Sequence, residues 1–348
     1  MTSSLTHDPH TGASTAPYAP PAAAALPTHA RAVVFEEPGR LTVRELALAE
    51  PKPGDVVVDV EWTGISTGTE RLLWKGTMPV FPGLGFPLVP GYETVGRVRW
   101  AGPESGRTVG ERVFLPGSYA FPELRNLFGG AGQTLVAPGA RARPIGEEFG
   151  AEGMLLSLAA TAMHCIRGHA PADADLVLPD LVVGHGALGR LVARLVLALG
   201  GAAPTVWEIE PRRMGGAAGY AVVRPEDDAR RDYRCICEVS GADGLLDVLV
   251  GRLAKGGEVV IGGFYTQPLA FQYVPAFLRG ARLRVAAEFT PADLALVREL
   301  ALDGRLSLDG LVTHRVAAVD EAAVAGAYAT AFGDPDCIKM VLDWRSDA

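Results

Sequence analysis

A chain of 348 residues with 48% hydrophobic and 21% charged side chains is long enough for two domains and has the balance of a folded globular protein. Its formal charge of −8, without any run of Lys and Arg, excludes a nucleic-acid surface as its organising feature. No apolar stretch reaches the ~18 residues of a membrane span; the longest candidate, from Leu191, is interrupted by Arg194 and by Gly200-Gly201.

In chain order, residues 1–30 are rich in Pro, Ala, Ser and Thr and contain no Lys or Arg. That composition predicts a disordered tail and does not fit a secretory signal. Residues 31–35, 41–46 and 56–62 read as strands, with the turn Pro51-Lys52-Pro53-Gly54-Asp55 between the last two. Short strands with Gly/Pro turns continue to about residue 145, so 31–150 is expected to form a β-rich unit. Helical and strand patterns alternate over 151–290. A helix should start after Thr290, with Thr290 as N-cap, Pro291 at the first position and Asp293 at the third. Residues 291–348 return to mixed structure, with a strand expected over 311–316. The four cysteines fall at no metal or disulfide spacing; Cys235 and Cys237 alternate with Ile236 as on one face of a buried strand. A reducing cytoplasm is the simplest compartment.

The most informative stretch is 176–208. The apolar run 176–183 reads as a strand in its second half. Gly184-His185-Gly186-Ala187-Leu188-Gly189 follows. Apolar residues at Leu188, Leu191, Val192, Leu195, Val196 and Leu199 then mark one face of a helix that Gly200-Gly201 end. A second strand, 205–207, stops at Glu208, 208 − 189 = 19 residues beyond the last glycine of the turn. G-x-G-x-x-G alone is weak; between a strand and a helix, with an acid at that distance, it describes a dinucleotide site. Gly184 makes the turn, Gly186 lets the backbone approach a pyrophosphate, and Gly189 lets helix pack on strand. Glu208 can accept hydrogen bonds from a ribose and would repel a 2′-phosphate, which points to NAD. The blander reading is an ordinary tight turn between strand and helix.

Further segments carry a family resemblance. Pro90-Gly91-Tyr92-Glu93-Thr94-Val95-Gly96-Arg97-Val98 resembles the P-G-H-E-x-x-G-x-V segment of the medium-chain dehydrogenase/reductase superfamily, and Gly64-Ile65-Ser66-Thr67-Gly68-Thr69-Glu70 resembles its G-x-C-G-T-D segment. Residues 255–263, ending in Gly262-Gly263, resemble the strand and turn beside the nicotinamide, and Glu238-Val239-Ser240-Gly241 resembles the turn on the adenosine side. The resemblance implies an α/β chain: a GroES-like β-rich catalytic domain, completed by 291–348, plus a Rossmann doubly wound parallel sheet. Zinc members of the superfamily use Cys, His and Cys or Glu as ligands. Here those positions read as Ser66 or Thr67, Tyr92, and a third near Ser157, so no zinc is expected. His164 reads as an ordinary residue of the interdomain helix.

Within the superfamily, residues 64–74, 81–93 and 334–345 together look like the zinc-free dehydrogenases that photosynthetic bacteria use on bacteriochlorophyllides, oxidising a 3-(1-hydroxyethyl) group to 3-acetyl. A tetrapyrrole substrate is therefore implied; peripheral contact with the machinery of pigment synthesis and a homodimer are both compatible with the chain. Aromatic and apolar residues at Trp74, Met78, Phe81, Leu84, Phe86, Tyr119, Phe121 and Phe128, and at Phe264, Tyr265, Phe271, Tyr273 and Phe277, would either face such a pigment or fill a core. Without a metal a side chain must handle the alcohol proton. Tyr92 is the first candidate, Ser66 and Thr67 are the others, and Glu93 is expected to hold the loop through backbone N–H groups. Thr161 resembles a threonine that contacts nicotinamide; otherwise it bonds its own helix. Two rivals remain open: an NADPH-dependent quinone or enone reductase, with Arg212 and Arg213 near the acid, and a pigment carrier without turnover.

Overall fold

The structure, a computed structural model, describes residues 26–345 except 81, 172 and 173. The expected tail therefore lies outside the described residues up to residue 25. Its last residues are ordered, because the first strand, His29–Glu37, already begins inside it with Ala30 buried.

Three sheets organise the chain. A four-stranded sheet runs Arg40–Ala47, His29–Glu37, Leu88–Val89, Arg125–Asn126. A seven-stranded sheet runs His314–Ala317, Met340–Asp343, Asp55–Ile65, Thr94–Ala101, Arg112–Leu115, Arg143–Pro144, with Thr134–Pro138 also paired to Asp55–Ile65. Asp55–Ile65 is its hub: the Val-rich stretch is buried along most of its length, as expected of a strand covered on both faces. The late strand Met340–Asp343 lies antiparallel to it, with Met340 opposite Ile65 and Leu342 opposite Thr63. That register carries Lys339 to the start of the Ser66 turn, 274 residues away in sequence.

The six-stranded sheet is parallel throughout. Its order is Ala221–Val223, Thr205–Trp207, Leu181–Val183, Tyr233–Glu238, Leu253–Ile261, Arg282–Val285. Numbered by sequence this is 3-2-1-4-5-6, the doubly wound order. In sheets of this order the crevice for a ligand lies outside the strands' carboxyl ends where the order reverses, here between Leu181–Val183 and Tyr233–Glu238. All three residues of Leu181–Val183 are buried. The helix Ala187–Ala198 turns Leu191, Val192, Leu195 and Val196 into the core, as its spacing predicts. Cys235 and Cys237 are buried in one cluster with Val182, while Ile236 faces the other side of the sheet.

The helix Leu156–Arg167 lies against both Ala187–Ala198 and Pro291–Leu302. Thr290 and Asp293 form a reciprocal capping box at the start of Pro291–Leu302. Asp293 Oδ2 is also 3.0 Å from Nδ1 of the buried His164, so this histidine ties two helices together. Two expectations need correction. The strand expected over 311–316 is His314–Ala317; Leu311 is buried as a core side chain ahead of it, and the Thr313 hydroxyl accepts the Ile338 N–H. The β-rich unit also contains a helix, Thr69–Lys75, closed by Gly76 in the left-handed conformation. Among the described residues no helix is long and apolar enough to cross a membrane.

Candidate active site

The glycine turn has the shape its spacing predicts. Gly184 sits at φ 102°, and a Cβ there would fall 2.9 Å from Ser240 Cα. At Gly189 a Cβ would fall 1.8 Å from the Gly184 carbonyl oxygen, so helix and strand touch through backbone. At Gly186 a Cβ would meet nothing within 4 Å. Gly186 is the N-cap of Ala187–Ala198, and no side chain caps that helix. Its first-turn amides thus lack a side-chain cap, and the positive end of the helix dipole lies behind them. A helix start of this kind can receive an anion such as a pyrophosphate.

Glu208 closes the next strand. Its Oε2 accepts the His185 N–H at 2.9 Å, and its Oε1 accepts those of Ile209 at 2.7 Å and Glu210 at 2.9 Å. The carboxylate, at the end of the second strand, therefore fixes the glycine turn. The His185 side chain has partners of its own. Its Nδ1 is 2.6 Å from the Arg213 carbonyl and its Nε2 is 2.9 Å from the Tyr220 hydroxyl. A carbonyl only accepts, so Nδ1 carries the proton and Nε2 accepts from Tyr220. Burial, with the Arg190 charge adding to it, pushes the His185 pKa down to about 4. Arg190 is committed to the carbonyls of His185, Arg213, Gly215 and Gly216. His185 is thus held through both its backbone groups and both its ring nitrogens. On the other side of the crevice Ser240 donates both its N–H, at 2.7 Å, and its hydroxyl to Glu238 Oε1. Gly262 and Gly263 each donate an N–H to the Glu238 carbonyl. A Cβ on Gly262 would fall 2.6 Å from Cys165 Sγ, so the chain passes where only glycine fits. Thr161 donates its hydroxyl to the Ser157 carbonyl at 3.0 Å, the local bond of a helix-interior threonine.

A second cluster forms where Asp55–Ile65 ends. Tyr92 donates its hydroxyl to Ser66 Oγ at 2.6 Å and lies 3.5 Å from Thr69 Oγ1; Thr67 is half-buried in the same turn. Burial first, and then the Glu93 carboxylate, push the Tyr92 pKa up, so this phenol stays neutral and can relay a proton but not hold a negative charge. The Phe128 ring meets the Tyr92 ring edge-on, with centroids 5.3 Å apart.

Glu93 departs from expectation. Its carboxylate does not hold the loop through backbone amides. Both its oxygens accept from Lys339 Nζ, at 2.9 and 2.8 Å, and Nζ also reaches the Ile65 carbonyl at 3.3 Å. The reason is burial: both side chains are enclosed, and an enclosed anion needs a countercharge. Sequence reading missed Lys339, whose one signal was a lysine set between Ile338 and Met340 in an apolar run. It also missed the buried Glu70.

The aromatic residues divide. Phe121 is buried in the core, and Trp74, Met78, Leu84, Phe86, Tyr119 and Phe128 pack against it; Phe81 lies outside the described residues. Phe264, Phe271, Tyr273 and Phe277 are exposed, while Tyr265 is partly buried. The Phe264 backbone lies against Gly241, at the mouth of the crevice. Among the described residues no three His, Cys, Asp or Glu side chains converge as metal ligands.

The alcohol dehydrogenase GroES-like domain matches residues 52–146. The chain is 54% identical over 314 residues to the 2-desacetyl-2-hydroxyethyl bacteriochlorophyllide A dehydrogenase of Rhodobacter capsulatus, covering 90% of this chain and 98% of that protein. It is 52% identical to the protein of the same name from Cereibacter sphaeroides, covering 91% and 99%. Among solved structures, 2R,3R-butanediol dehydrogenase from Bacillus subtilis superposes with a TM-score of 0.74 at 20% identity, covering 90% of this chain and 99% of that one. L-idonate 5-dehydrogenase from Escherichia coli superposes with a TM-score of 0.75 at 18% identity, covering 91% and 98%. The chain belongs to the medium-chain dehydrogenase/reductase superfamily, in the same family as these two bacteriochlorophyllide dehydrogenases.

Proposed function

We propose that this protein oxidises the 3-(1-hydroxyethyl) group of a bacteriochlorophyllide (numbered 2 in the names of its relatives) to a 3-acetyl group, with hydride passing to NAD. The observation that carries this reading is identity above one half over almost the whole length of the Rhodobacter capsulatus relative. The crevice residues suit it. Bound NAD supplies the hydride acceptor. The uncapped turn at Gly186 accommodates the pyrophosphate, and Glu208 meets the ribose on the other side.

Glu208 supports NAD over NADP, since a 2′-phosphate would meet a carboxylate. The nearby cations do not offset it. Arg212 lies against Glu210, Asp334 and Asp336, and Arg213 Nε donates to the Pro335 carbonyl at 2.8 Å. Those engagements also remove the sequence argument for an NADPH-dependent quinone or enone reductase.

Ser66 and Tyr92 hold the alcohol oxygen by hydrogen bonds and move its proton away as hydride leaves the carbinol carbon. We read this centre as metal-free, because neither residue is a ligand of the kind zinc selects. One zinc per chain by elemental analysis would overturn that point. The exposed Phe264 at the crevice mouth offers an apolar face to the macrocycle. We place the protein in the cytoplasm, where its four free cysteines stay reduced. The test is to incubate purified protein with hydroxyethyl-bacteriochlorophyllide and NAD and to weigh the pigment by mass spectrometry. Loss of two hydrogen atoms from the pigment supports the reading; unchanged pigment refutes it.

A further inference from the structure

We propose that Glu70 is the final acceptor of the alcohol proton, reached through Tyr92 and Ser66. This rests on the oxidation proposed above and gives its proton a destination. Glu70 stands in the first turn of Thr69–Lys75, 1% exposed, directly behind the Ser66 turn. The Ser66 N–H lies 3.4 Å from its Oε1. Its Oε2 is enclosed, and no donor completes a hydrogen bond to it.

The charges around Glu70 explain why it can serve. Glu93, Lys339, Tyr92 and the Tyr328 hydroxyl on the helix Glu321–Gly333 face it. Lys339 has three N–H bonds, and the two Glu93 oxygens and the Ile65 carbonyl take all three. One cation is thus matched to one anion, and Glu70 is left as an enclosed acid without a countercharge. Burial, and then the Glu93 carboxylate, raise its pKa to about 8, against the Ser66 amide, Lys339 and Tyr328. An acid in that range suits general base catalysis near neutral pH.

The step balances. Hydride leaves the carbinol carbon for NAD, and the alcohol O–H bond breaks. That proton passes to the Tyr92 oxygen and the Tyr92 proton to Ser66 Oγ; the Ser66 hydroxyl, whose own backbone N–H is the turn's contact with Glu70, then turns to deliver its proton to the carboxylate. A carbonyl and a neutral carboxyl result; the carboxyl returns its proton to solvent along the same path after the product leaves. Glu70 must be ionised for the step, so kcat/KM for oxidation rises with pH and levels off above about 8.

Two measurements test this. In pH-difference infrared spectra of the resting protein, a carboxyl C=O band should titrate near pH 8 and be missing in Glu70→Gln. In pH–rate profiles Glu70→Gln should lose the rising limb and slow kcat roughly 10²-fold with KM little changed, whereas Glu70→Asp should restore the limb. If Glu70→Gln does not fold, Ser66→Ala decides, because it leaves Glu70 in place and must flatten the same limb. Parent protein that turns over, with the limb intact in Glu70→Gln or Ser66→Ala, removes Glu70 from the path and leaves the oxidation standing. Absence of the infrared band likewise overturns the role of Glu70. Parent protein that never oxidises the pigment overturns the oxidation, and this inference with it.

Discussion

Two alanine substitutions in one turn should have opposite consequences. At Gly186 the backbone lies at φ −75°, ψ −169°, an extended conformation open to any residue, and a Cβ meets nothing within 4 Å. Gly186→Ala should leave stability unchanged or raise it by about 0.4–1 kcal/mol, through the less flexible unfolded chain. At Gly189 a Cβ would fall 1.8 Å from the Gly184 oxygen and 2.9 Å from its carbonyl carbon, both backbone atoms that cannot rotate away. Forcing that contact costs about 1–3 kcal/mol or more by the usual scale of overpacking. The helix-propensity gain of about 1 kcal/mol offsets only part of it. At about 2–4 °C per kcal/mol, Gly189→Ala should melt several degrees below the parent and Gly186→Ala at or above it. A nicotinamide fluorescence titration should order the two differently. Gly186→Ala should bind NAD at least about tenfold more weakly, roughly 1.4 kcal/mol, because its methyl fills the pyrophosphate's place. If Gly186→Ala binds NAD like the parent, the open space at Gly186 is not the phosphate site. If Gly189→Ala is as stable as the parent, the backbone contact does not hold the helix on the strand.

Glu208→Gln should keep turnover with NAD while narrowing the preference over NADP by about tenfold, about 1.4 kcal/mol; an unchanged ratio of kcat/KM values would count against the role of its charge. Tyr92→Phe should slow turnover roughly 10²-fold with little change in nicotinamide affinity; the parent rate would mean that the alcohol proton reaches Ser66 directly. His185 is neutral in the fold, with its pKa pushed down to about 4 from an ordinary 6.5. Its contribution is therefore present above about pH 6.5 and lost as pH falls toward 4. Urea midpoints should drop between pH 7.5 and 5, and His185→Gln, which can donate to Arg213 and accept from Tyr220, should blunt that drop.

The strand, turn and helix of 176–208 were readable because their physics is local. Strand, turn, helix and acid lie within 33 consecutive residues, 176–208, and each signal constrains its neighbour. The capping box of Thr290 and Asp293 was readable for the same reason. The cluster around Tyr92 was only half readable. Ser66 and Tyr92 stood out as the residues at positions where the resemblance expects metal ligands, and the structure joins them by a 2.6 Å hydrogen bond. Glu93 was misread because its partner, Lys339, is 246 residues away and arrives only through the pairing of Met340–Asp343 with Asp55–Ile65. Glu70 ends the segment that resembles G-x-C-G-T-D, but nothing local marks it as buried; its character comes from enclosure and from a neighbouring lysine already taken. The aromatic residues show the same limit, since Phe121 and Phe264 look alike in sequence and one is buried while the other is exposed.

The most direct test of the central claim follows the hydride itself. Hydroxyethyl-bacteriochlorophyllide carrying deuterium on the carbinol carbon is incubated with the purified protein and NAD, and the recovered dinucleotide is weighed. Direct transfer to the nicotinamide predicts one deuterium in each NADH formed, in step with the red shift of the pigment's long-wavelength band. Deuterium that stays in the pigment or washes into water, while NADPH reduces a simple quinone in the same preparation, would contradict the account.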